Sequence, residues 1–340
     1  MPTRTLLDRL EKLCNVDVDD VNLELIKKTS NQFAITEELA KPENQSLLDS
    51  LVQKYGQEGW EKVYDMTAVS LCARNLPYLS GRVLLQVSPR HIHDRDAITK
   101  HANTFAEAFE QYGVSRDRFA IKIPFSGSGA SAALQLNAEG IRTLATTVFS
   151  LEQAIAAKIA AHLDPYLRPK GEDPALEHPM SARIIHILET FAKAYKETGK
   201  EQPIMIIASH FNTTEIFAMT ELGCQHVTVQ AHNLKTLMET PDSLPRVSSK
   251  KSEHPYADLV TPERLKSLST LDPLARPDWD GVLASMNTDY VAKGGAKLDQ
   301  FIKEDPLVSK RLNDAMEFFL ESENKAKLLI EEKLRTKGFI

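Results

Sequence analysis

Short runs of apolar and β-branched residues alternate along the chain with longer stretches that place apolar residues at helical spacing. These runs predict strands at 16–19, 28–35, 82–88, 119–124, 142–149, 162–166, 204–210 and 226–230. Regular alternation of strands and helices is typical of parallel βαβ units, and no glycine-rich nucleotide fingerprint follows the first run. We therefore predict an α/β fold, a single (β/α)8 TIM barrel rather than an open doubly wound sheet.

Both ends of the chain add helices to this predicted barrel. An amphipathic pattern in residues 1–15 predicts an N-terminal helix, and residues 240–340 start with a loop rich in Ser and Lys. Apolar residues then recur at helical spacing from 305 to about 334. We expect one domain over 1–340, with the C-terminal loop and helices packing on the barrel.

Composition narrows the range of partners. The 340 residues are 42% hydrophobic, which is enough for a substantial core, and the net charge of −6 comes without basic blocks that would bind nucleic acid. No stretch approaches the roughly 18 apolar residues of a membrane span, and the polar N-terminus does not resemble a signal peptide. Widely spaced Cys14, Cys72 and Cys224 favour a reducing compartment over a disulfide or zinc framework. We expect a cytoplasmic protein with no nucleic-acid or membrane partner.

One charged side chain, Lys122, interrupts the apolar run Phe119–Pro124. Burial of a charged amine is costly, so this group must be paired or neutral. Desolvation lowers the pKa of a lysine and leaves free amine that can attack a carbonyl to form a Schiff base. Alternation along the strand puts Lys122 opposite the bulky side chains, so it points into the barrel if those side chains meet the helices. An ion pair with Asp17 is the structural alternative.

Polar residues also interrupt neighbouring runs, near the strand ends where such barrels hold their active sites. They are Asp17 in the first run, Gln86 in the third and Thr146 in the fifth. Tyr166, at the end of the sixth run, is a candidate proton donor, acting directly or through a water held by Gln86 and Thr146. The same residues are compatible with a buried polar pair and a core tyrosine, and spacing alone does not decide between these interpretations.

Three short motifs suggest other chemistry. The sequence HIHD at 91–94 offers metal ligands, although its position after a proline favours a loop. The sequence SGSG at 126–129 resembles a phosphate loop without its Gly-Lys-Ser/Thr ending, and a helix cap is the simpler interpretation. Cys224 and His226 are close enough in sequence to suggest a nucleophile pair, but ordinary core packing of the cysteine is the simpler interpretation.

The segment IKIPFSGSGASAALQLNAEGIRTLATTVFS at 121–150 resembles the core of the transaldolase family, in which an IKIP or VKVP strand carries the Schiff-base lysine. The resemblance extends from about residue 6 to 230: TSNQ at 29–32 is similar to TTNP or TSNP, and ASHFNTTEI at 208–216 to the family's ASF segment. It implies a transferase of carbohydrate metabolism, in the pentose phosphate pathway, with Lys122 as nucleophile. The resemblance places Asp17, Asn31 and Ser209 in substrate binding. No metal or organic cofactor is implied, because the imine is the electron sink.

The strand VLLQVSPR at 83–90 departs from the family's SxEVDxR strand and carries Gln86 in place of the glutamate acid/base. Fructose-6-phosphate aldolases have glutamine there, with a TLGT strand resembling TLAT at 143–146 and an APY segment resembling DPY at 164–166. By that resemblance Tyr166 is the proton donor, and Gln86 and Thr146 hold a water. The catalytic residues thus resemble the aldolase branch, whereas the chain length resembles the larger transaldolases.

A second departure concerns substrate phosphate. Phe211 stands where the family's ASFR segment carries a phosphate-binding arginine, and Arg168 matches the other one. Because one cation binds a dianion less tightly than two, an uncharged or unusual acceptor is an alternative to a sugar phosphate.

Taken together, the residues and the resemblance predict a class I enzyme. It transfers or adds a three-carbon unit from a ketose or dihydroxyacetone-type donor to an aldehyde acceptor. The alternatives are an altered enzyme for a specialised non-phosphorylated substrate, a non-catalytic barrel scaffold and a lysine-independent isomerase. A homodimer is compatible with the sequence, which does not fix the oligomeric state.

Overall fold

The computed structural model describes residues 4–19, 31–157, 161–162, 171–245 and 254–340. The strands in these ranges are β1 Asn15–Asp19, β2 Val83–Gln86, β3 Phe119–Pro124, β4 Thr143–Thr146, β5 Ala161–His162, β6 Ile206–Ala208 and β7 His226–Gln230. The α-helices are α1 Leu6–Leu13, α2 Gln32–Ala40, α3 Gln45–Tyr55, α4 Trp60–Asn75, α5 Arg95–Gln111, α6 Gly127–Ala138, α7 Leu151–Ala157, α8 Pro174–Glu177, α9 Ser181–Thr198, α10 Thr213–Leu222, α11 Ala231–Glu239, α12 Ala292–Glu304 and α13 Pro306–Thr336.

The described strands form two sheets. One has the order β1–β7–β6–β5 and the other the order β2–β3–β4. The pairs β2–β3, β5–β6 and β6–β7 are parallel, and helices connect the successive strands. The predicted α/β class with parallel sheets is therefore confirmed. No helix in the described ranges is long and apolar enough to cross a membrane.

The predicted strand at 28–35 is wrong over its described part, because α2 begins at Gln32. Asn31 is the N-cap of this helix: its backbone is extended, and its Oδ1 accepts a hydrogen bond from the backbone N–H of Ala34 at 3.1 Å. The apolar run at 33–35 belongs to the first turn of the helix rather than to a strand. Residues 28–30, and residues 163–166 of the predicted sixth strand, lie outside the described residues.

Contacts divide the chain into two compact units. The first comprises residues 1–18, 125–127 and 145–311, and the second comprises 19–124, 128–144 and 312–340. In the second unit α5 covers β3, where the rings of Phe109 and Phe119 stack with centroids 4.6 Å apart. Alternating residues of β3 thus meet this helix, as the apolar pattern predicted.

Helix α13 contributes a buried carboxylate to the second unit. Glu323 accepts hydrogen bonds from the Ser88 hydroxyl at 3.1 Å and from Arg90 Nε at 2.7 Å. Desolvation raises the pKa of Glu323 despite these partners. The backbone N–H of Ser88 donates to Nδ1 of His101, whose Nε2 lies 3.1 Å from Asp65. Ser88 therefore anchors the end of β2 to surrounding helices.

A buried arginine holds several segments of the first unit together. Arg183 of α9 directs Nε to both carboxylate oxygens of Asp272, at 3.2 and 3.0 Å, and Nη2 to Asp305 at 3.4 Å. It also donates to the carbonyl oxygens of Phe149 and Leu274, each at 2.9 Å. Because these contacts come from three segments, at residues 149, 272–274 and 305, Arg183 ties the loop after β4 to the C-terminal part of this unit.

The backbone at the start of α6 lies directly against the first turn of α12, where the backbone of residues 293–295 is not helical. A Cβ atom on Gly127 would fall 2.2 Å from the carbonyl oxygen of Gly295, and one on Gly295 would fall 2.1 Å from that of Gly127. Gly295 also has a φ of 88°, which disfavours a side chain. The Gly127 N–H donates to Asp299 at 2.7 Å, so a carboxylate already occupies this helix start. The SGSG motif is thus a helix start bound to a carboxylate.

Candidate active site

Lys122 lies near the end of β3 and is 6% exposed. Since Phe119 stacks on helix α5, alternation directs Lys122 to the opposite face of the sheet, away from that helix. This is the orientation that the sequence required of a nucleophile inside the fold. Lys122 stands on a regular strand whose residues are all buried, so the backbone fixes the face from which its side chain starts.

Gln86, the last residue of β2, is the register partner of Lys122. Paired residues of parallel strands point to the same face, so the amide of Gln86 and the amine of Lys122 share one side of the sheet. The backbone supports this register, because the N–H of Val87 donates to the carbonyl oxygen of Lys122 at 3.0 Å. The structure therefore brings these two predicted residues together.

Gln32, at the first position of α2, contacts Gln86 in a way that the sequence did not predict. Its Nε2 donates to the backbone carbonyl oxygens of Gln86 at 3.1 Å and Val87 at 2.9 Å. Its Oε1 accepts from Nε2 of Gln86 at 2.6 Å. The other end of the buried Gln86 amide, Oε1, has no hydrogen-bond partner. This orphaned acceptor is a place for a donor such as water, because buried polar groups are normally satisfied.

Three further described candidates, Asp17, Thr146 and Ser209, lie in the first unit. Asp17 is half-buried on β1, and its Oδ2 lies 2.8 Å from Nδ1 of His226 at the start of β7. Nε2 of the same ring lies 3.1 Å from the side-chain amide of Asn15. A histidine partner thus orients the Asp17 carboxylate. The contact joins positions 209 residues apart in the chain, and no local residue pattern indicates it.

Thr146 is the last residue of β4 and is fully buried. Its carbonyl oxygen accepts from the N–H of Phe125 at 3.0 Å, and the next residue, Thr147, has a positive φ of 61°. Gln153 secures this turn by donating to the carbonyl oxygens of Phe125 and Thr147 at 2.9 and 3.2 Å. The predicted strand at 142–149 therefore stops at Thr146, where the backbone changes direction.

Ser209 follows β6 directly and has a φ of 71°, in the left-handed region that non-glycine residues rarely adopt. Such a conformation costs about 1 kcal/mol or more and clusters at functional sites. The observed strain supports the prediction that this residue has a role beyond packing.

His210, next to Ser209, is a buried histidine that the sequence did not single out. Its Nε2 lies 3.2 Å from the carbonyl oxygen of Ile207, so the proton belongs on Nε2 and leaves Nδ1 as an acceptor. Nδ1 is buried without a hydrogen-bond partner. Desolvation lowers the pKa of His210 from 6.5 to about 4. The ring is therefore neutral at physiological pH.

This lowered pKa predicts a loss of stability in acid. Between pH 6.5 and about pH 4, His210 is protonated in the unfolded protein but neutral in the folded protein. The free energy of unfolding therefore decreases as the pH falls through this interval. Between pH 7 and 4.5 we expect the free energy of unfolding of the wild type to fall by about 2 kcal/mol more than that of H210Q, measured in urea. Glutamine keeps a donor near Nε2 and does not titrate. Parallel pH profiles for the two proteins would contradict this assignment.

Two predicted candidates, Tyr166 and Arg168, lie outside the described residues. The side chain of Asn31 caps α2 through its Oδ1, as described above, so its predicted substrate contact would fall to the amide nitrogen. Phe211, at the family's arginine position, is 59% exposed, and its N–H donates to Glu215 at 2.6 Å. The position thus presents an exposed apolar ring, while the buried Glu215 carboxylate binds its backbone N–H.

The other chemistry suggested by short motifs finds little support. Asp94 of the HIHD motif caps α5 by accepting from Ala97 N–H at 2.9 Å. Within the part of the chain that the structure describes, no three His, Cys, Asp or Glu side chains gather where they could hold a metal ion. Burial raises the pKa of the Cys224 thiol well above its usual range, which opposes a thiolate nucleophile.

The chain matches the family model for transaldolase/fructose-6-phosphate aldolase over residues 15–272. This protein belongs to the transaldolase/fructose-6-phosphate aldolase family. It is 28% identical to a transaldolase of Methylococcus capsulatus, over 72% of this chain and 80% of that protein. It is also 26% identical to a transaldolase of Acidobacterium capsulatum, over 96% and 95% of the two chains. A transaldolase of Synechocystis sp. is 25% identical over 98% of this chain and 82% of its own length.

Family membership confirms the predicted class of enzyme. The protein is a transaldolase or class I aldolase, which forms a lysine Schiff base with a ketose or dihydroxyacetone-type donor and passes the three-carbon unit to an aldehyde. It is accordingly a transferase of carbohydrate metabolism.

Proposed function

We propose that Lys122 is the Schiff-base residue of this transaldolase-family enzyme. The observation that carries the proposal is the placement of its amine: buried, on the sheet face opposite α5, beside a polar register partner in Gln86. We further propose that residues 1–340 form one domain in which the two described sheets belong to a closed (β/α)8 barrel. Such barrels hold their active sites at the carboxyl ends of the strands, which is where Lys122, Gln86 and Thr146 lie.

In the proposed reaction the neutral amine of Lys122 attacks the donor ketone, and the resulting carbinolamine loses water to give an iminium ion. Loss of the proton from the substrate hydroxyl at C4 breaks the C3–C4 bond, and the bonding electrons move into the iminium to form an enamine. The aldehyde fragment then leaves. The enamine adds to an acceptor aldehyde, whose new alkoxide takes up a proton, and water hydrolyses the imine to regenerate the amine.

The proton transfers in this scheme require a group other than Gln86, because an amide side chain does not act as an acid or a base near neutral pH. We propose Tyr166 as the acid/base, with Gln86 and Thr146 holding a water, as in the aldolase branch of the family. The unpartnered Oε1 of Gln86 supports this role, since it is an acceptor available to a water O–H. Asp17, Asn31, Ser209 and Arg168 are the proposed substrate-binding residues.

The proposed acceptor is an uncharged aldehyde. An exposed phenylalanine at position 211, next to the Glu215 carboxylate, offers nothing to bind a phosphate dianion. Comparison of kcat/KM for phosphorylated and unphosphorylated aldehydes tests this part. A preference of several orders of magnitude for the phosphorylated acceptor would refute it.

Borohydride trapping tests the central proposal. Incubation of the wild type with dihydroxyacetone or a ketose, followed by borohydride, should add a donor-sized mass, and peptide mapping should locate it on Lys122. Absence of an adduct with every ketone donor would instead favour a non-catalytic barrel or a lysine-independent isomerase. An adduct on another lysine would leave the enzyme class intact and overturn the assignment of Lys122.

Substitutions of Ser209 should separate backbone strain from substrate binding. S209G relieves the left-handed conformation and is expected to raise the free energy of unfolding by about 1 kcal/mol relative to S209A. Both variants lose the hydroxyl, so we expect KM for the donor to rise about tenfold in each, the equivalent of one hydrogen bond. Urea unfolding and steady-state kinetics measure the two effects. Equal stabilities for the two variants, or an unchanged KM, would contradict the respective half of this prediction.

A further inference from the structure

Gln32 and Gln86 are two neighbouring departures from the family pattern. Gln32 occupies the position of the proline in the TSNP segment, and Gln86 that of the catalytic glutamate. The two side chains lie 54 residues apart in sequence, yet they share a hydrogen bond of 2.6 Å between Gln86 Nε2 and Gln32 Oε1. Both are 1% exposed, so water does not compete for this contact.

The orientation of the Gln32 amide is fixed by its surroundings. Its Nε2 lies within hydrogen-bond distance of two backbone carbonyl oxygens, those of Gln86 and Val87, and both atoms can only accept. Exchange of the nitrogen and oxygen would therefore set an oxygen against two acceptors. Oε1 of Gln32 must face Gln86.

It follows that the Gln86 amide is fixed as well. An acceptor at 2.6 Å requires a donor, so Nε2 of Gln86 must face Gln32 and Oε1 must be the end that is left without a partner. Gln32 thus decides which end of Gln86 is available on the Lys122 face of the sheet. Only a group that donates an O–H or N–H can bind there.

We propose that Gln32 is a positioning residue. It orients the side chain at position 86 so that its unpartnered end is a hydrogen-bond acceptor, and it prevents a carboxylate at position 86 from acting as the acid/base. The proposal rests on the proposed function of Lys122 and Gln86. A carboxylate at position 86 would set oxygen against Oε1 of Gln32, and the contact is tolerable only if that carboxyl keeps its proton. With Gln32 in place, a glutamate at 86 is therefore a poor base. Gln32 selects water-mediated proton transfer over direct transfer by residue 86.

The backbone at position 32 is compatible with proline, which would remove the hydrogen bonds of the Gln32 side chain. Gln32 is the first residue of α2, where proline is favoured because its missing N–H has no intrahelical partner. Asn31 has φ −138° and ψ 179°, which suits a residue before proline. Q32P should therefore fold, and Q32M offers a second variant that keeps the side-chain volume.

A double-mutant cycle of Q32P and Q86E tests the proposal through the pH dependence of donor cleavage. We expect the kcat of Q86E to be at least about tenfold lower than that of the wild type. The acidic limb of its pH profile should lie at higher pH. The double variant Q32P/Q86E should regain about tenfold over Q86E, and its acidic limb should lie at least about one pH unit lower. Q32M/Q86E should behave in the same way. A purely structural role for Gln32 would lower stability without moving the limb.

Two controls complete the experiment. E37Q changes an exposed residue of the same helix and should leave kcat and the pH profile unaltered. Borohydride trapping at Lys122, carried out on every variant, reports on Schiff-base formation independently of proton transfer. No adduct in the wild type means that the proposed function has failed. If every variant forms the adduct but the acidic limb lies at the same pH in Q86E and in both double variants, the proposed role of Gln32 is wrong and the proposed function stands.

Discussion

Replacement of Lys122 by methionine is expected to reduce kcat/KM for donor cleavage by about four orders of magnitude or more, because the variant has no amine to form the imine. Methionine matches the length of the lysine stem without its charge. Methionine keeps the apolar stem within a strand whose residues are all buried, so K122M should fold. Kinetics with a ketose donor, together with borohydride trapping, measure the loss.

The matched control is K100M, which alters an exposed lysine of α5 in the same unit. This variant should retain wild-type turnover and a trapped adduct. If K122M instead keeps more than a few per cent of the activity, the nucleophile is another residue. If it unfolds, the loss of activity is uninformative, and trapping on the wild type then decides the assignment.

Replacement of Arg183 by methionine is expected to lower the free energy of unfolding by about 3–5 kcal/mol, the usual consequence of removing one member of a buried ion pair. The substitution leaves Asp272 and Asp305 without their cation and two backbone carbonyl oxygens without a donor. Urea unfolding monitored by circular dichroism gives the difference.

An exposed ion pair serves as the control for the loss of stability expected in R183M. Lys235 and Glu239 lie 3.9 Å apart on the surface of α11, and both are more than two-thirds exposed. K235M should change stability by no more than about 0.5 kcal/mol. The double variant R183M/D272N should be more stable than R183M, because it removes one uncompensated carboxylate. Equal effects of R183M and K235M would show that the Arg183 contacts are energetically neutral.

Local periodicity was sufficient to predict several strands and the burial of the lysine that we propose as the nucleophile. The apolar run Phe119–Pro124 matches β3 residue for residue, and the single charge within it identified Lys122. A buried parallel strand has a strong signature because both of its faces are covered, so a polar residue inside it stands out. The same signature located Gln86 at the end of β2.

Other features depend on backbone conformation or on distant contacts, for which residue patterns carry little information. The three apolar residues at 33–35 fit the period of a strand as well as that of a helix, and only the capping bond of Asn31 shows that a helix starts there. The positive φ values of Thr147 and Ser209 have no residue-type signal, since neither is Gly or Asn. The partners Gln32 for Gln86, and His226 for Asp17, emerge only when the chain is folded.

The close approach of Gly127 and Gly295 brings main-chain atoms of two distant segments into direct contact. A Cβ atom on either glycine would fall within 2.2 Å of the carbonyl oxygen of the other, so a side chain at either position would force the two segments apart. Asp299 completes this junction by accepting a hydrogen bond from the Gly127 N–H. The junction therefore depends on three residue identities, two glycines and one aspartate, and we expect substitutions at these positions to be tolerated least.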